Sequence, residues 1–560
     1  MNPFRSKYRN YEIEPDEIFL DSKNIPQFDT HQFEGRIEKP ITKRSMLFMG
    51  FFFLMVGVVF FWKLGSLQVA NGDTYLKRSQ DNSLNTEPIF ADRGIISDRN
   101  GIELAWNTFV EGSDMPDRSY IADTGFAHLL GYVAYPAKDA KGVYWQKEFI
   151  GKDGVEKKYN ERLKGKNGLK IYETDVRGVI QSENTIDPPV HGDNLVLAAD
   201  ARMQKKLYES IVSLAKDGGF VGGAAVVMDI HTGELLSMTS YPEYSPAVIS
   251  KGEDRQAINE YVRSKSKVLL NRAVGGLYVP GSIIKPFVAI GVLNEGVIDP
   301  SKKILSTGSI SLPNPYNPKN PSIFKDWKAH GWVDMRDAIA VSSDVYFYEV
   351  GGGFQDQKGI GISNIEKYTK MFGIGEKTNV DIVGELKGTI PNPEWKSRMF
   401  KGDPWRVGDT YNTSIGQYGF QTTPVQMVRA TAAIASDGRL VTPHVLLGDT
   451  EMEKQIKTID IPAEYFEVVK EGMRQAVTEG TTSIMNLPYA HAAAKSGTAQ
   501  TGVNNERHNS WVVGFFPYEK PKYAFAVMME SAPKNNALGA SRVIKELLEW
   551  ANTYAPEYLR

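Results

Sequence analysis

At 560 residues the chain is too long for one ordinary domain, and 41% hydrophobic with 24% charged residues is the composition of folded protein rather than of a disordered chain. A formal net charge of −2 gives no electrostatic basis for binding nucleic acid. With no cysteine, neither a disulfide framework nor a thiolate metal site is possible.

Residues 1–45 are polar and charge-mixed without sustained periodicity, which predicts a loosely ordered tail. The next segment, MLFMGFFFLMVGVVFFW (Met46 to Trp62), carries no charge and spans roughly 25 Å as a helix. Trp62 suits the membrane interface, and Lys63 can snorkel so that the helix continues to residue 66 and beyond. Arg36, Lys39, Lys43 and Arg44 precede the run, against Lys63, Lys77 and Arg78 after it, which favours an N-terminus on the cytoplasmic side. A 45-residue leader is too long for a signal-peptide n-region, so the segment is expected to be an uncleaved single-pass anchor at 46–66.

DRGIISDRNGIELAWN (92 to 107) predicts two strands around an Asn-Gly turn. A mixed region rich in Gly, Lys and Asp follows, from Ala137 to Gly168. GDNLVLAADARMQKKLYESIVSLA (192 to 215) passes from strand alternation to helical period, a domain entrance. GAAVVMDIHTGELLSMTSY (223 to 241) predicts a hairpin turning at His231-Thr232-Gly233, and SWVVGFFPYEKPKYAFAVMMES (510 to 531) a second, turning at Glu519 to Lys522. Distant hairpins separated by helical stretches predict an α+β fold, an antiparallel sheet flanked by helices.

Chemistry concentrates in three short motifs. In PGSIIKPF (280 to 287), Ser282 and Lys285 stand at i and i+3 of a helix start, so the amine can reach the hydroxyl. A serine needs a neighbouring base, and a lysine among Ile283, Ile284 and Phe287 has its charged form disfavoured by burial. Pro286 cannot donate to the Ser282 carbonyl, so the first turn must kink or tighten. S-x-x-K alone occurs about twice by chance in a chain of this length. Copies also start at Ser213, Ser264 and Ser322, and context singles out Ser282.

The second motif is SSDVYFYEVG, where Ser342 and Asp344 offer a hydroxyl and a carboxylate to relay a proton and steady the lysine. The third, AAAKSGTAQTG, holds Lys495, Ser496, Gly497 and Thr498. A lysine with two hydroxyls suits a substrate carboxylate, and Gly497 lets a substrate backbone pair along a strand edge. In this order the three motifs form the serine acyl-transferase set of penicillin-binding proteins and certain β-lactamases.

On these residues the chain resembles a class B penicillin-binding protein, a membrane-anchored peptidoglycan D,D-transpeptidase. RGIISDRNG (93 to 101), RSYIADTGFAHLLGY (118 to 132), GKDGVEKKYNERLKGKNG (151 to 168) and GDNLVLAADARMQ (192 to 204) look like that family's pedestal. SSDVYFYEVG, WRVGDTYNTSIGQ (405 to 417) and KSGTAQ look like its elongation branch, penicillin-binding protein 2. The resemblance implies a pedestal, or dimerisation-like domain, at 67–200 and a transpeptidase domain at 201–560. It also implies Ser282 as the nucleophile toward a D-Ala carbonyl, Lys285 as its base, and an oxyanion held by the Ser282 and Thr498 amides. Ser342, Asp344 and Lys495 would complete the catalytic set, with Ser496, Gly497 and Thr498 binding substrate.

Peptidoglycan stem peptides and β-lactams are the implied ligands, and a SEDS-family glycosyltransferase with elongation-complex proteins the implied partners. No nucleic acid or cofactor is expected. A division-type transpeptidase, a D,D-carboxypeptidase or penicillin hydrolase, and a non-catalytic β-lactam sensor or scaffold stand as alternatives. Two departures from the family pattern stand out. Only about sixteen residues separate DRNG from RSYIADTG, which predicts a shortened pedestal head, and Tyr418 occupies a position where glycine is usual. Asp326 and His330 stand where certain relatives hold zinc, but two ligands fall short of a closed site, so no metal is expected. His508 is expected to cap a turn.

Overall fold

The computed structural model describes residues 42–75, 84–140, 142–174, 180–314, 317, 319–502 and 504–560. The expected tail lies outside the described residues as far as residue 41. Two compact units emerge: one runs to Asn85 and includes Tyr172–Glu183, and the other holds Thr86–Ile171 and Asn184–Arg560.

In the first unit, α1 (Lys43–Gly65) starts at Thr42, whose hydroxyl accepts from the Ser45 amide at 3.3 Å. It continues as a π-helical turn over Ser66–Ala70. Together these make 28 residues, none buried in the protein, long and apolar enough to cross a membrane.

The second unit opens with a small sheet of β1 (Ile96–Ser97), β2 (Glu103–Thr108), β3 (Asp117–Tyr120) and, after the helix α2 (Gly154–Lys158), β4 (Leu195–Val196), in the order β4-β1-β2-β3. The expected Asn-Gly turn forms because the Asp98 carboxylate accepts from the Asn100 and Ile102 amides, both at 2.8 Å. Strands β2 and β3 pair antiparallel from Ala105↔Tyr120 to Thr108↔Asp117, so residues 109–116 close a hairpin. α2 places Glu156, fully buried, between the Arg93 and Arg118 guanidiniums. Burial pushes its carboxyl up, but the two arginines outweigh that and hold it below the ordinary carboxylate range.

Asp98 also accepts from the Ala201 amide at 3.0 Å, coupling this sheet to α3 (Ala201–Gly218), which Asp200 caps. The first long hairpin follows as β5 (Gly222–Asp229) and β6 (Leu235–Tyr241). A 3₁₀ turn at Gly281–Ile284 then leads into α4 (Lys285–Asn294), and α5 (Met335–Ala340), α6 (Asp344–Gly352), α7 (Val407–Ser414), α8 (Pro424–Ala435) and α9 (Ala463–Thr478) come after it. The chain ends with β7 (Ala493–Thr501), β8 (Arg507–Phe516), β9 (Tyr523–Pro533) and α10 (Ser541–Tyr554).

The two predicted hairpins meet in one antiparallel five-stranded sheet, β6-β5-β9-β8-β7, in which Ala225 faces Val527 and Gly497 faces Trp511. Alternation along the strands sorts the core. Ala224, Val226, Met228, Val513 and Met528 enter the cluster that includes α4 and α8. Ala225, Val227, Val512, Val527 and Met529 enter the cluster that includes α3 and α10. All of α8 is buried, and its polar residues Gln426, Arg429 and Thr431 are satisfied there by the Glu376, Val441 and Met427 carbonyls. Among the described residues strand β7 pairs only with β8, so its other edge is open along the K-S-G motif.

Candidate active site

The oddity of PGSIIKPF resolves into geometry. Without a Pro286 amide, the Ser282 carbonyl accepts instead from the Lys285 amide, one residue earlier, and the turn tightens to 3₁₀ before α4 begins. Ser282 is half-buried at this tip, and its hydroxyl has no hydrogen-bond partner among the described residues. The other S-x-x-K copies lack this setting. Ser264 ends a helix, Ser322 lies on a strand, and Ser213 accepts from Arg542 at 3.3 Å.

Strand β7 crosses directly over the tip, and two glycines permit it. Gly281 adopts φ +59° where a Cβ would stand 2.9 Å from the Thr498 carbonyl oxygen. A Cβ on Gly497 would stand 2.8 Å from the Pro280 carbonyl oxygen. The Gly281 amide donates to the Gly416 carbonyl at 3.0 Å, and Trp511 Nε1 donates to the Val279 carbonyl at 3.0 Å, fixing the turn from both sides.

Beneath the tip, Lys285 is fully buried and its ammonium donates to Asp344 Oδ1 at 2.7 Å, the Ser342 carbonyl at 2.8 Å and Ser342 Oγ at 3.3 Å. The Phe347 ring centroid lies 5.4 Å from Nζ. Lys495, also fully buried, reaches the same hydroxyl from β7, with Nζ 2.8 Å from Ser342 Oγ and 2.9 Å from the Ser496 carbonyl. Ser342 holds this bridging position at φ +61°, a left-handed conformation that a non-glycine residue adopts only under constraint.

The two amines therefore meet at one hydroxyl, Ser342 Oγ, while the Asp344 carboxylate bonds Lys285. Burial, reinforced by the Lys285 charge and opposed by Asp344, pushes the Lys495 amine well below its ordinary range. Lys285 is paired with Asp344 at 2.7 Å, and the amine that burial holds against its charge is that of Lys495.

The expected substrate set divides. Lys495, Gly497 and Ala499 share the buried face of β7, while Ser496 and Thr498 lie on the other. Ser496 Oγ is bonded to Thr481 Oγ1 at 2.7 Å, a partner no motif announced, and Thr498 is exposed. Lys495 thus points toward Ser342 rather than into open cleft.

Asp326 was conspicuous in the sequence for a different reason than the structure gives. Its Oδ2 accepts from Ser343 Oγ at 2.9 Å, the Val345 amide at 3.0 Å and Ser306 Oγ at 3.2 Å, so it buttresses the start of α6. Burial raises its carboxyl, but hydrogen bonds from Val345, Asp344 and Ser343 outweigh it and hold the group below the carboxylate range. His330 Nε2 lies 3.4 Å from the other oxygen, and no third His, Asp or Glu joins them among the described residues. These residues do not fit a zinc site.

His508 is not a turn cap. It sits within β8, opposite Gln500 and Ala532, and packs edge-on to Phe220 at 6.0 Å because burial suits its neutral ring. Tyr418 takes φ +61°, which explains why glycine is usual there; its ring is held by Trp395 at 5.6 Å, Trp405 at 5.9 Å and Phe400, stacked at 6.1 Å.

A serine at a helix tip, two buried lysines meeting at a second serine and an open strand edge define the class of S-x-x-K serine acyl-transferases. Residues 223–549 match the penicillin binding protein transpeptidase domain, and residues 108–197 the penicillin-binding protein dimerisation domain. The peptidoglycan D,D-transpeptidase MrdA of Acinetobacter baumannii is 33% identical over 435 residues, covering 72% of this chain and 62% of that protein. MrdA of Salmonella typhimurium is 28% identical, covering 91% of this chain and 96% of that one. The structure of Helicobacter pylori penicillin-binding protein 2 in complex with MreC superposes with a TM-score of 0.69 at 26% identity, covering 84% of this chain and 99% of that chain. The chain belongs to the penicillin-binding protein family, in its elongation-type branch.

Substituting Gly497 by alanine tests the close crossing of β7 over the nucleophile turn. The added methyl meets the Pro280 carbonyl and Ile283 Cγ2 inside 3 Å, so the strand must shift. The expected loss is about 1–3 kcal/mol in thermal denaturation, with slower acylation by a fluorescent penicillin. Unchanged melting and labelling would show that strand and turn separate freely.

Proposed function

We propose that the chain is a peptidoglycan D,D-transpeptidase of cell-wall elongation that works through an acyl-enzyme on Ser282. The observation that carries this reading is the unbroken line of contacts from Lys285 through Ser342 to Lys495 beneath an unpartnered serine hydroxyl. Neutral Lys495 takes the Ser342 hydroxyl proton as Ser342 takes one from the Lys285 ammonium. Lys285, now uncharged, receives the proton of Ser282 as its oxygen attacks the penultimate D-Ala carbonyl of a stem peptide. Asp344 holds Lys285 in place throughout.

The developing oxyanion lies between the Ser282 and Thr498 amides, where one lost donor raises the barrier by about 2.7–4 kcal/mol. Collapse expels terminal D-Ala, which takes a proton from Lys285. The amine of a second stem peptide then attacks the ester and passes its proton to Lys285, which protonates the departing Ser282 oxygen, and the proton held on Lys495 returns through Ser342 to Lys285. The stem peptide lies along the open edge of β7, with Ser496, Gly497 and Thr498 as its contacts. β-Lactams acylate the same oxygen.

Helix α1 anchors the chain in the cytoplasmic membrane, with the tail inside and the catalytic domain outside. By likeness to the Helicobacter pylori complex, elongation-complex proteins of the MreC kind are partners. A separate glycosyltransferase of the SEDS family polymerises the strands that this chain cross-links.

The test uses the full chain in detergent, incubated with a D-Ala-D-Ala stem peptide and an amine acceptor, with products read by mass spectrometry. A cross-linked dimer with release of D-Ala supports the reading. Hydrolysed stem alone assigns a carboxypeptidase, and absence of any acyl-enzyme with substrate or penicillin assigns a scaffold.

A further inference from the structure

The second long hairpin strand begins beside a cluster that the serine chemistry does not use. Glu234 follows the turn between β5 and β6, His444 lies on the segment that bridges to it, and Glu453 ends the helical turn Thr450–Glu453. The backbone locks the first two together: the His444 amide donates to the Gly233 carbonyl at 3.0 Å and the Leu235 amide to the His444 carbonyl at 2.8 Å. One ligand atom from each of the three side chains lies within 4.8 Å of the other two.

The protonation pattern of His444 points to a ligand. Nδ1 lies 3.2 Å from the Thr442 carbonyl, which can only accept, so Nδ1 carries the hydrogen and Nε2 presents its lone pair. That nitrogen has no partner, although His444 is 0% exposed. A backbone carbonyl fixing one ring nitrogen while the other stays free is the arrangement of a metal-bound imidazole.

Glu234 is 7% exposed, with Oε1 held by the Gly448 amide at 3.0 Å and Oε2 only loosely approached by Arg99 at 3.7 Å. The Glu453 carboxylate has no hydrogen-bond or ion-pair partner among the described residues. Asp381, close by, is engaged by Tyr159 and by the Val445 amide at 2.8 Å, and so is not a ligand.

We propose that Glu234, His444 and Glu453 bind one zinc-type divalent cation that clasps the β5–β6 turn to the segment from Thr442 to Glu453. An imidazole lone pair with two carboxylates favours zinc over calcium or magnesium, which take oxygen donors. Ligands about 2.0–2.2 Å from zinc stand roughly 3–4 Å apart, so a small closing movement of the half-buried Glu453 completes three protein ligands and leaves one position for water.

The full chain, stripped with chelator and titrated with zinc chloride alone, is expected to bind one zinc per chain and to melt at higher temperature with zinc than without. Magnesium chloride gives neither effect. Glu453→Gln, a near-isosteric change at a half-buried position, should weaken zinc binding at least tenfold and erase the shift in Tm. Glu451→Gln, on the same turn but outside the cluster, should bind as the original chain does. His444→Gln should abolish binding where it folds. Absence of zinc binding by the original chain, or equal binding by the Glu453 and Glu451 variants, overturns the proposal. Penicillin labelling of Ser282 is read in parallel, and its failure would bear on the transpeptidase reading alone.

Discussion

Ser282→Ala is expected to lose covalent labelling by penicillin completely and to lower cross-linking by roughly four to six orders of magnitude, as for other serine nucleophiles. The effect should be purely chemical. The Ser282 hydroxyl has no hydrogen-bond partner among the described residues, and the contact that tightens the turn uses its backbone carbonyl. Stability should therefore stay within about 0.5–1 kcal/mol of the original chain. Ser322→Ala, on an exposed strand with the same S-x-x-K spacing, is the matched control and should label normally. Intact-mass measurement of the adduct decides the matter. A penicillin adduct on the Ser282→Ala chain would place the nucleophile elsewhere and end the proposed mechanism.

The parts of this fold that were legible in the sequence are those set by local pattern. The anchor shows as an uncharged apolar run, the hairpins as alternation around turn residues, and the tightened turn as a proline where an amide should be. The pairing of β5 with β9 joins residues about three hundred positions apart, and no local signal encodes it. Side-chain partnerships were hidden for the same reason. Lys285 among isoleucines shows no carboxylate partner until Asp344 is seen 2.7 Å away, and Lys495 suggests a carboxylate clamp until its face of β7 is known. Asp326 with His330 mimics half a metal site because i, i+4 spacing says nothing of the three groups that already bond one carboxylate oxygen. The cluster at Glu234, His444 and Glu453 was invisible, since its members come from three separated segments.

Lys495→Met is expected to move activity and stability in opposite directions. Methionine retains the unbranched chain in a fully buried channel but removes the amine that accepts the Ser342 proton. Acylation should fall about 10²- to 10⁴-fold, the usual contribution of a positioned proton acceptor. Stability should rise by about 1–4 kcal/mol, because an ionisable group held against desolvation is replaced by a packed apolar one, while Ser342 Oγ keeps Lys285 at 3.3 Å. The pH dependence fixes the cause. In the original chain Lys495 is depressed by burial first and by Lys285 second. Below that depressed value both folded and unfolded states carry the proton, and the whole desolvation penalty acts. Between it and about 10.4, the value in an unfolded chain, only the unfolded state is protonated, so stability climbs with pH. The advantage of Lys495→Met should therefore be greatest at low pH and shrink toward pH 10. Melting curves and penicillin acylation rates across that range check both halves. A variant that acylates at the original rate would remove Lys495 from the proton path, and a stability difference independent of pH would show that its amine is not held against its charge.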